Sequence, residues 1–198
     1  DFDEDLHWRR ERGEIVGLNF RAFFGFPRAL MGLENWCMAF YDQPHLVKRM
    51  IADRVQFAKD LLPRLLATGA LDFVQVWEDM AYKNGPLISP KVFREFMTPY
   101  YRDVLDYVKA ETDIRWFGVD TDGDATLLIG LFREVGINLI FPFEVQAGMD
   151  IRQVRKRYPD LVIHRMFDAL ARRQRPVDDF DQLAIVGEHC SQREQRAE

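Results

Sequence analysis

Acidic residues recur at the ends of short apolar runs along this chain, and their spacing limits the folds that are open to it. The runs are rich in β-branched and aromatic residues, which is typical of buried strands. Asp120 and Glu144 are 24 positions apart, and Glu144 and Asp168 are again 24 apart. That interval fits one strand, one helix and two short loops. Four such runs are present, at residues 74–79, 116–120, 139–144 and 162–168.

Helical patterns alternate with these runs. Ser89 followed by Pro90 predicts a helix start, with serine as the N-cap and proline at the first helical position. Pro63 is expected to kink or divide a long helix. Asp150 is expected to cap another helix, and 83–86 reads as a turn. The predicted helices cover about 28–41, 44–68, 90–111, 125–135 and 150–157, and the predicted strands cover about 14–20, 74–79, 114–120, 137–143 and 161–167.

This alternation predicts an α/β fold with a parallel sheet. Carboxylates at the exits of successive parallel strands are typical of the (β/α)8 TIM barrel, which places its chemistry there. Such a barrel typically needs about 250 residues, and this chain has 198. We therefore expect either an open sheet or an incomplete barrel of about five βα units. The expected organisation is a frayed N-terminus at 1–12, a barrel segment at 13–170 and a degenerate, partly disordered tail at 171–198.

Composition excludes several classes of function. The chain is 47% hydrophobic, which is enough for a sizeable core, and its net charge of −5 disfavours nucleic acid as a partner. It has neither an apolar stretch of about 20 residues for a membrane span nor an N-terminal signal peptide. Its two cysteines, Cys37 and Cys190, are far apart and suggest a reducing, cytoplasmic location. The first residue is Asp1 rather than Met, which suggests a partial chain.

The strongest candidate site is the turn after the second acidic run. Asp120, Asp122 and Asp124 could bind a hard cation through oxygen, whereas zinc prefers nitrogen or sulfur ligands. The alternative is a solvated turn. Glu144, one strand further on, would share the same mouth or be an ordinary loop carboxylate.

Glu78 and Asp79 are adjacent, so on a strand they point to opposite sides and only one faces the barrel axis easily. A carboxylate crowded by apolar neighbours has a raised pKa and could act as an acid. The alternative is a structural, salt-bridged pair. Of the remaining candidates, Tyr82 and Lys83 could contact an anionic ligand, although Lys83 could equally be a solvated charge. Asp168 is a candidate ligand contact by position, and His164 is expected to be a core or lumen residue.

Several ordered motifs resemble the uroporphyrinogen decarboxylase superfamily. They lie at 77–90, 93–96, 99–100, 119–123, 142–145 and 148–150, and the resemblance extends from about residue 17 to 170. It implies a (β/α)8 barrel with its site at the C-terminal mouth. The superfamily contains uroporphyrinogen decarboxylases, cobalamin-linked methyltransferases that use coenzyme M or similar thiols, and many members of unknown reaction.

The departures from the family pattern bear on activity. The decarboxylases carry a serine where Asp79 stands, a tyrosine near Leu33 and an arginine-rich loop, and none of these is present. The methyltransferases carry a zinc-binding His-x-Cys pair where this chain has Asp120 and Asp122. Our first expectation is therefore corrinoid-linked methyl transfer at a carboxylate-lined mouth. The alternatives are tetrapyrrole decarboxylation and a non-catalytic remnant or binding subunit.

The resemblance also suggests roles for individual residues. Asp120, Asp122 and Glu144 would contact substrate or a divalent metal, and Glu78 or Asp79 would donate a proton. Asp120 is expected to be catalytic together with Glu78 and Asp79. The substrate would lie against Trp77 and Phe143. The expected ligand is a small molecule, a tetrapyrrole or a corrinoid (cobalamin). A corrinoid protein and a second copy of the chain are further candidate partners.

Overall fold

The computed structural model describes residues 2–164 and 183–187 of the chain. Within these residues the helices are α1 (Phe2–Glu11), α2 (Gly25–Met31), α3 (Leu33–Asp42), α4 (Pro44–Leu66), α5 (Pro90–Phe96), α6 (Thr98–Glu111), α7 (Thr126–Glu134) and α8 (Ile151–Arg157), with a 3₁₀ turn at Val145–Ala147. The strands are β1 (Ile15–Arg21), β2 (Phe73–Trp77), β3 (Ala81–Tyr82), β4 (Gly85–Pro86), β5 (Trp116–Asp120), β6 (Leu139–Phe141), β7 (Val162–Ile163) and β8 (Leu183–Gly187).

Six parallel strands form one sheet in the order β7-β6-β5-β2-β1-β8. From β1 to β7 each new strand of this sheet is added beside the previous one, without the reversal that marks a doubly wound sheet. The last strand, β8, returns to the free side of β1, as the last strand of a barrel does. The predicted α/β class of the TIM-barrel type is therefore confirmed, with six of the eight strands of such a barrel among the described residues.

The two faces of the sheet differ. One set of alternate residues packs under the helices in the core, including Val74 and Val76 on β2 and Val119 on β5. The other set faces the inside of the barrel. There a Cβ atom on Gly17 would lie 1.9 Å from the Phe73 ring, so the absence of a side chain on β1 gives that ring its space. This alternation decides which of the adjacent residues Glu78 and Asp79 can reach the barrel interior.

Several helix predictions are confirmed at their ends. Ser89 caps α5 by accepting a hydrogen bond from the Val92 N–H at 3.2 Å. Asp150 caps α8 by accepting from the N–H groups of Arg152 and Gln153. The turn expected at 83–86 belongs to the β3–β4 hairpin: residues 83–84 form the turn, and Gly85, with a positive φ of 116°, begins β4.

Other element predictions were wrong in detail. The helix expected at 28–41 is divided into α2 and α3 at Gly32, whose φ of 79° is unavailable to a continuing helix. The helix expected at 90–111 is likewise divided into α5 and α6 at Met97. Pro63 does not divide α4, which continues through it to Leu66, and the kink that was the other expectation stays a prediction.

The N-terminal residues, expected to be frayed, form α1. Leu6 is only 1% exposed within the core, and Arg9 pairs with Asp5 and Glu14. One buried leucine and these ion pairs outweigh the polar composition of the segment. The tail predicted from residue 171 lies outside the described residues, apart from 183–187, which form β8. No helix in the described part of the chain combines the length and apolarity that crossing a membrane requires.

Candidate active site

The carboxyl ends of β2, β5 and β6 bring four of the predicted acids to one place. One carboxylate oxygen each from Asp79, Asp120 and Asp122 lies within 4.8 Å of the others. Glu144 joins them from the loop after β6, where its Oε2 accepts a hydrogen bond of 2.8 Å from the Gly123 N–H. We call Asp79, Asp120 and Asp122 the carboxylate cluster.

Backbone hydrogen bonds fix the loops that carry this cluster. The Asp120 carbonyl accepts from the N–H groups of both Glu78 and Asp79, at 2.9 and 3.3 Å, which ties the end of β2 to the end of β5. Thr121 is fully buried, and its Oγ1 accepts from the Met80 N–H at 2.8 Å. Neighbouring strand ends are thus joined beyond the sheet itself, so the acids are held by ordered backbone.

Gly123 is required where the β5 loop meets the hairpin. Its φ is 85°, and a Cβ atom there would lie 2.7 Å from the Tyr82 carbonyl carbon. The Asp124 N–H donates to the Tyr82 carbonyl at 3.0 Å across the same contact. Both the conformation and the close approach exclude a larger residue.

Asp79 is held in a left-handed conformation, with a φ of 46°. Arg28 on α2 donates to it twice, from Nη1 to its carbonyl at 2.9 Å and from Nη2 to its Oδ2 at 3.0 Å. Its other oxygen, Oδ1, accepts from the Asp122 N–H at 3.3 Å. Asp79 therefore links α2 to the β5 loop, and strain of this kind is common at functional sites.

The electrostatics of the cluster favour protonation of Asp120. Burial raises its pKa most, and the negative charges of Asp79 and Asp122 raise it further, to about 7. The pKa of Asp122 is also raised, by burial and by the charges of Asp79 and Glu144, while Arg28 acts in the opposite direction. A carboxyl group that titrates near neutrality can both give and take a proton at physiological pH.

Glu78 takes the opposite direction from its neighbour Asp79, as expected for adjacent residues at a strand end. It is fully buried, and its two oxygens accept hydrogen bonds from the N–H groups of Phe23, Phe24 and Gly25 and from the Tyr101 hydroxyl. Burial raises its pKa, and these hydrogen bonds oppose that rise. Because both oxygens are occupied inside the protein, the geometry makes Glu78 a support for the start of α2 rather than the proton donor expected from the sequence.

The aromatic residues expected to contact substrate differ in access. Phe143 is 2% exposed, so it offers a ligand no surface, contrary to expectation. Trp77 is partly exposed, and the guanidinium groups of Arg21 and Arg28 lie 4.8 and 5.1 Å from its ring centroid. Tyr82 is 62% exposed in the hairpin, and Lys83 beside it is also exposed. Asp168 lies outside the described residues.

The donor set has a clear preference among metals. Three carboxylates suit a hard cation such as Mg²⁺ or Mn²⁺. They do not suit the zinc of the thiol methyltransferases, because the only cysteine in the described residues, Cys37, lies against the Leu87 carbonyl. The expected set of Asp120, Asp122 and Glu144 is corrected by one member, since Asp79 replaces Glu144 in the group close enough to share an ion.

Sequence reasoning missed Arg21, Arg28, Tyr101 and Thr121. Arg28 lies 51 positions from Asp79, and no local pattern connects them. The sequence did contain a signal for Arg21 and Arg28. They flank the loop after the first predicted strand, and a loop that follows a parallel strand lies at the mouth. Tyr101 gave no signal, because its position on α6 fits the ordinary core pattern.

One family model matches most of the chain. A family model described as Uroporphyrinogen decarboxylase (URO-D) matches residues 22–182. Among curated proteins, none matches the chain. The matched range includes all the residues of the mouth named above except Arg21.

Proposed function

Because this chain belongs to the uroporphyrinogen decarboxylase family, we propose that it is an enzyme of one-carbon chemistry, with corrinoid-linked methyl transfer as the first candidate reaction. The observation that carries the proposal is the carboxylate cluster at the mouth, where the pKa of Asp120 is raised to about 7. An ordinary surface aspartate is fully ionised at that pH and is a poor proton donor. The cluster thus supplies the group that a proton-coupled transfer needs.

The chain's own part in methyl transfer is to manage a proton. A thiol or similar acceptor must lose its proton as its sulfur takes the methyl group, and ionised Asp120 is the base placed to accept it. The negative charges of Asp79 and Asp122 disfavour ionisation of Asp120, so together with burial they keep its pKa near neutral pH. A bound corrinoid would supply the methyl group and keep the electron pair of the bond that breaks.

A divalent cation is the second expected component. Asp79, Asp120 and Asp122 would hold it through one oxygen each, and its charge would lower the pKa of a bound acceptor. It would lower the pKa of Asp120 as well, so Asp120 is the base only in the metal-free cluster. Arg28 competes for the Oδ2 of Asp79, so we expect modest affinity. The native chain should bind Mn²⁺, and Asp120→Asn should bind it at least tenfold more weakly. The relaxation rate of water protons measures this binding. Equal binding by both proteins would remove the metal from the proposal.

Methyl transfer is tested directly with methylcobalamin and 2-mercaptoethanesulfonate under anaerobic conditions, both with Mg²⁺ and without it. Loss of the methylcobalamin absorbance and formation of the methyl thioether are the expected results. Asp120→Asn should reduce the rate at least 100-fold, because it cannot take the proton. Asp113→Asn is the matched control, since Asp113 is exposed just before β5, at the opposite end of that strand. A rate in Asp120→Asn equal to that of the control would contradict the assigned role.

Decarboxylation of a tetrapyrrole side chain is the second candidate, and Arg21 favours it. Arg21 ends β1 at the mouth beside Trp77, and its buried Nε has no hydrogen-bond partner among the described residues. A guanidinium with a free donor can hold a substrate carboxylate. Asp120 would then donate the proton that replaces carbon dioxide.

Incubation with uroporphyrinogen and chromatography of the products separates the two candidates. Decarboxylated products that depend on Arg21, but not on the exposed Arg64 in an Arg64→Gln control, would select decarboxylation. Methyl transfer without such products would select the first candidate. A folded chain that binds either ligand but turns over neither would favour a binding subunit.

A further inference from the structure

Both terminal nitrogens of Arg28 bind Asp79. Nη1 donates to the Asp79 carbonyl at 2.9 Å, and Nη2 donates to its Oδ2 at 3.0 Å. The side chains of Arg28 and Asp79 are 22% and 17% exposed, so the pair is partly buried but can still be reached from solvent. In a partly buried ion pair each charge depends on the other, because removal of one partner leaves the second poorly compensated. Another anion that reaches Arg28 would therefore compete with Asp79 for it.

A second guanidinium group lies close to the first. The guanidinium carbons of Arg21 and Arg28 are 4.8 and 5.1 Å from the centroid of the Trp77 ring. Arg21 forms no ion pair with any residue that the structure describes, whereas Arg28 is paired with Asp79. Two positive charges beside one ring repel each other, and an acid group between them relieves this repulsion. Carboxylate and sulfonate groups suit this position, because their oxygens accept parallel hydrogen bonds from a guanidinium group.

The exchange of one acid group for another at Arg28 requires only the motion of side chains. The start of α2 is fixed, because the Glu78 carboxylate accepts hydrogen bonds of 2.7 Å from the N–H groups of both Phe24 and Gly25. Arg28 lies further along the same helix and has a long, flexible side chain. It can turn from Asp79 toward a ligand on Trp77 while the backbone of α2 stays in place.

We propose that Asp79 is an internal competitor for the anionic group of the ligand that binds at this mouth. Asp79 occupies Arg28 when the mouth is empty, and a ligand with a carboxylate or sulfonate group takes Arg28 from it. The released Asp79 stays beside Asp120 and Asp122, so the carboxylate cluster is free of its arginine only when a ligand is bound. The proposal rests on the mouth as the ligand site of the proposed function, but it requires no metal, corrinoid or turnover.

Benzenesulfonate and the neutral benzenesulfonamide test this competition, since they share a ring and differ in charge. Isothermal titration of the full chain measures both affinities. Asp79→Asn should bind benzenesulfonate about tenfold more tightly than the native chain, because asparagine tolerates the left-handed conformation but carries no charge to compete for Arg28. Arg28→Gln should bind it about tenfold more weakly, and adding Asp79→Asn to Arg28→Gln should restore nothing. The affinity for benzenesulfonamide should stay nearly constant in all these variants.

Asp122→Asn is the matched control for the loss of one negative charge. Asp122 belongs to the same cluster, but among the described residues Arg28 donates to Asp79 and not to the Asp122 side chain. This variant should therefore tighten benzenesulfonate only about twofold, through general charge. Arg28→Lys keeps the charge but loses the paired donors, and it should also weaken binding. It provides a second test should Arg28→Gln fail to unfold cooperatively.

Three results would overturn the proposal. They are equal tightening in Asp79→Asn and Asp122→Asn, unchanged binding in both Arg28 variants, and absence of benzenesulfonate binding by the native chain and Asp79→Asn alike. Each can be obtained with a chain that still turns over its substrate, so failure of this proposal is distinguishable from failure of the proposed function.

Discussion

At the scale of single residues, the environment of Asp120 decides what the site can do. The same residue type gives opposite behaviour at Asp150, where hydrogen bonds from the N–H groups at the start of α8 hold the pKa below its usual value. At Asp120, burial and two neighbouring carboxylates raise the pKa to about 7. The sequence predicted Asp150 as a helix cap and Asp120 as a site residue. It could not predict how deeply each is buried, and that burial separates their roles.

Asp120→Asn should remove a pH-dependent loss of stability in the metal-free protein. Since the pKa of Asp120 is higher in the folded than in the unfolded chain, its contribution is fully present below about pH 4. That contribution is lost as the pH rises through about 7. When the pH is raised from 5 to 8, the free energy of unfolding of the variant should therefore increase by about 1–3 kcal/mol relative to that of the native chain. Urea unfolding at both pH values measures this, and a difference that stays constant with pH would contradict the raised pKa.

At the scale of elements, α2 matters because its two ends serve different purposes. The Glu78 carboxylate accepts from the N–H groups at its start and from the Tyr101 hydroxyl, while Arg28 in its last turn reaches Asp79 at the mouth. The Gly25 position admits no side chain, since a Cβ atom there would lie 2.6 Å from the Trp77 carbonyl oxygen. The start of α2 is thus fitted against the end of β2, and the geometry of Asp79 depends on it.

Glu78→Gln should destabilise the chain by about 2–4 kcal/mol, because an amide cannot accept all four hydrogen bonds and leaves a buried donor unpaired. Tyr101→Phe should cost about 1–2 kcal/mol. The double variant should cost less than the sum, since the two side chains share one hydrogen bond. Chemical denaturation measures all three, with the partly buried Tyr107→Phe as the control. Additive costs would show that the pair is not coupled.

Gly123→Ala should destabilise the junction between the β5 loop and the hairpin. Gly148→Ala is its matched control, because Gly148 also has a positive φ, of 101°, but a Cβ atom there would meet no atom of the described residues within 4 Å. We expect about 1 kcal/mol for the control, from backbone conformation alone, and about 2–4 kcal/mol for Gly123→Ala. Thermal unfolding of both variants tests the difference. Equal losses of stability would mean that the backbone of Tyr82 moves away from the new Cβ atom at no cost in free energy.

The elements also show how far sequence reasoning reaches. Strand positions, the Ser89 and Asp150 caps and the approach of Asp79, Asp120, Asp122 and Glu144 followed from apolar runs and from the rule that parallel strands end on one side. The divisions at Gly32 and Met97 did not, because a short break within an apolar pattern leaves the periodicity almost unchanged. The burial of Glu78 and Phe143 depended on helices packing from distant parts of the chain, which no local pattern encodes.

At the scale of the whole molecule, the sheet has β7 and β8 as its edges among the described strands. Strand edges and exposed apolar side chains both favour association. Exposed apolar side chains are concentrated on α2 and α3, where they are Leu30, Leu33, Met38 and Tyr41. The sequence predicted an incomplete barrel and a second copy of the chain as a candidate partner, but it could not show which faces are exposed.

Sedimentation velocity should therefore show concentration-dependent association of the native chain at tens of micromolar. Replacing Leu30 and Met38 together by Gln should shift the chain toward monomer without changing its unfolding midpoint by more than a few degrees, since both side chains lie outside the core. Replacement of the exposed Phe57 on α4 by Gln is the control for an apolar residue elsewhere. A monomer at all concentrations would show that these surfaces are compatible with an isolated chain.

The most direct test of the proposed active site is a carbon-13 NMR titration of the aspartate carboxyl groups, with Asp120 assigned by its loss in Asp120→Asn. The structure predicts an apparent pKa of about 7 for Asp120, and a lower value in Asp79→Asn, where one neighbouring charge is removed. An Asp120 resonance that titrates near pH 4 in the native chain would contradict the assignment of this mouth as a proton-transfer site.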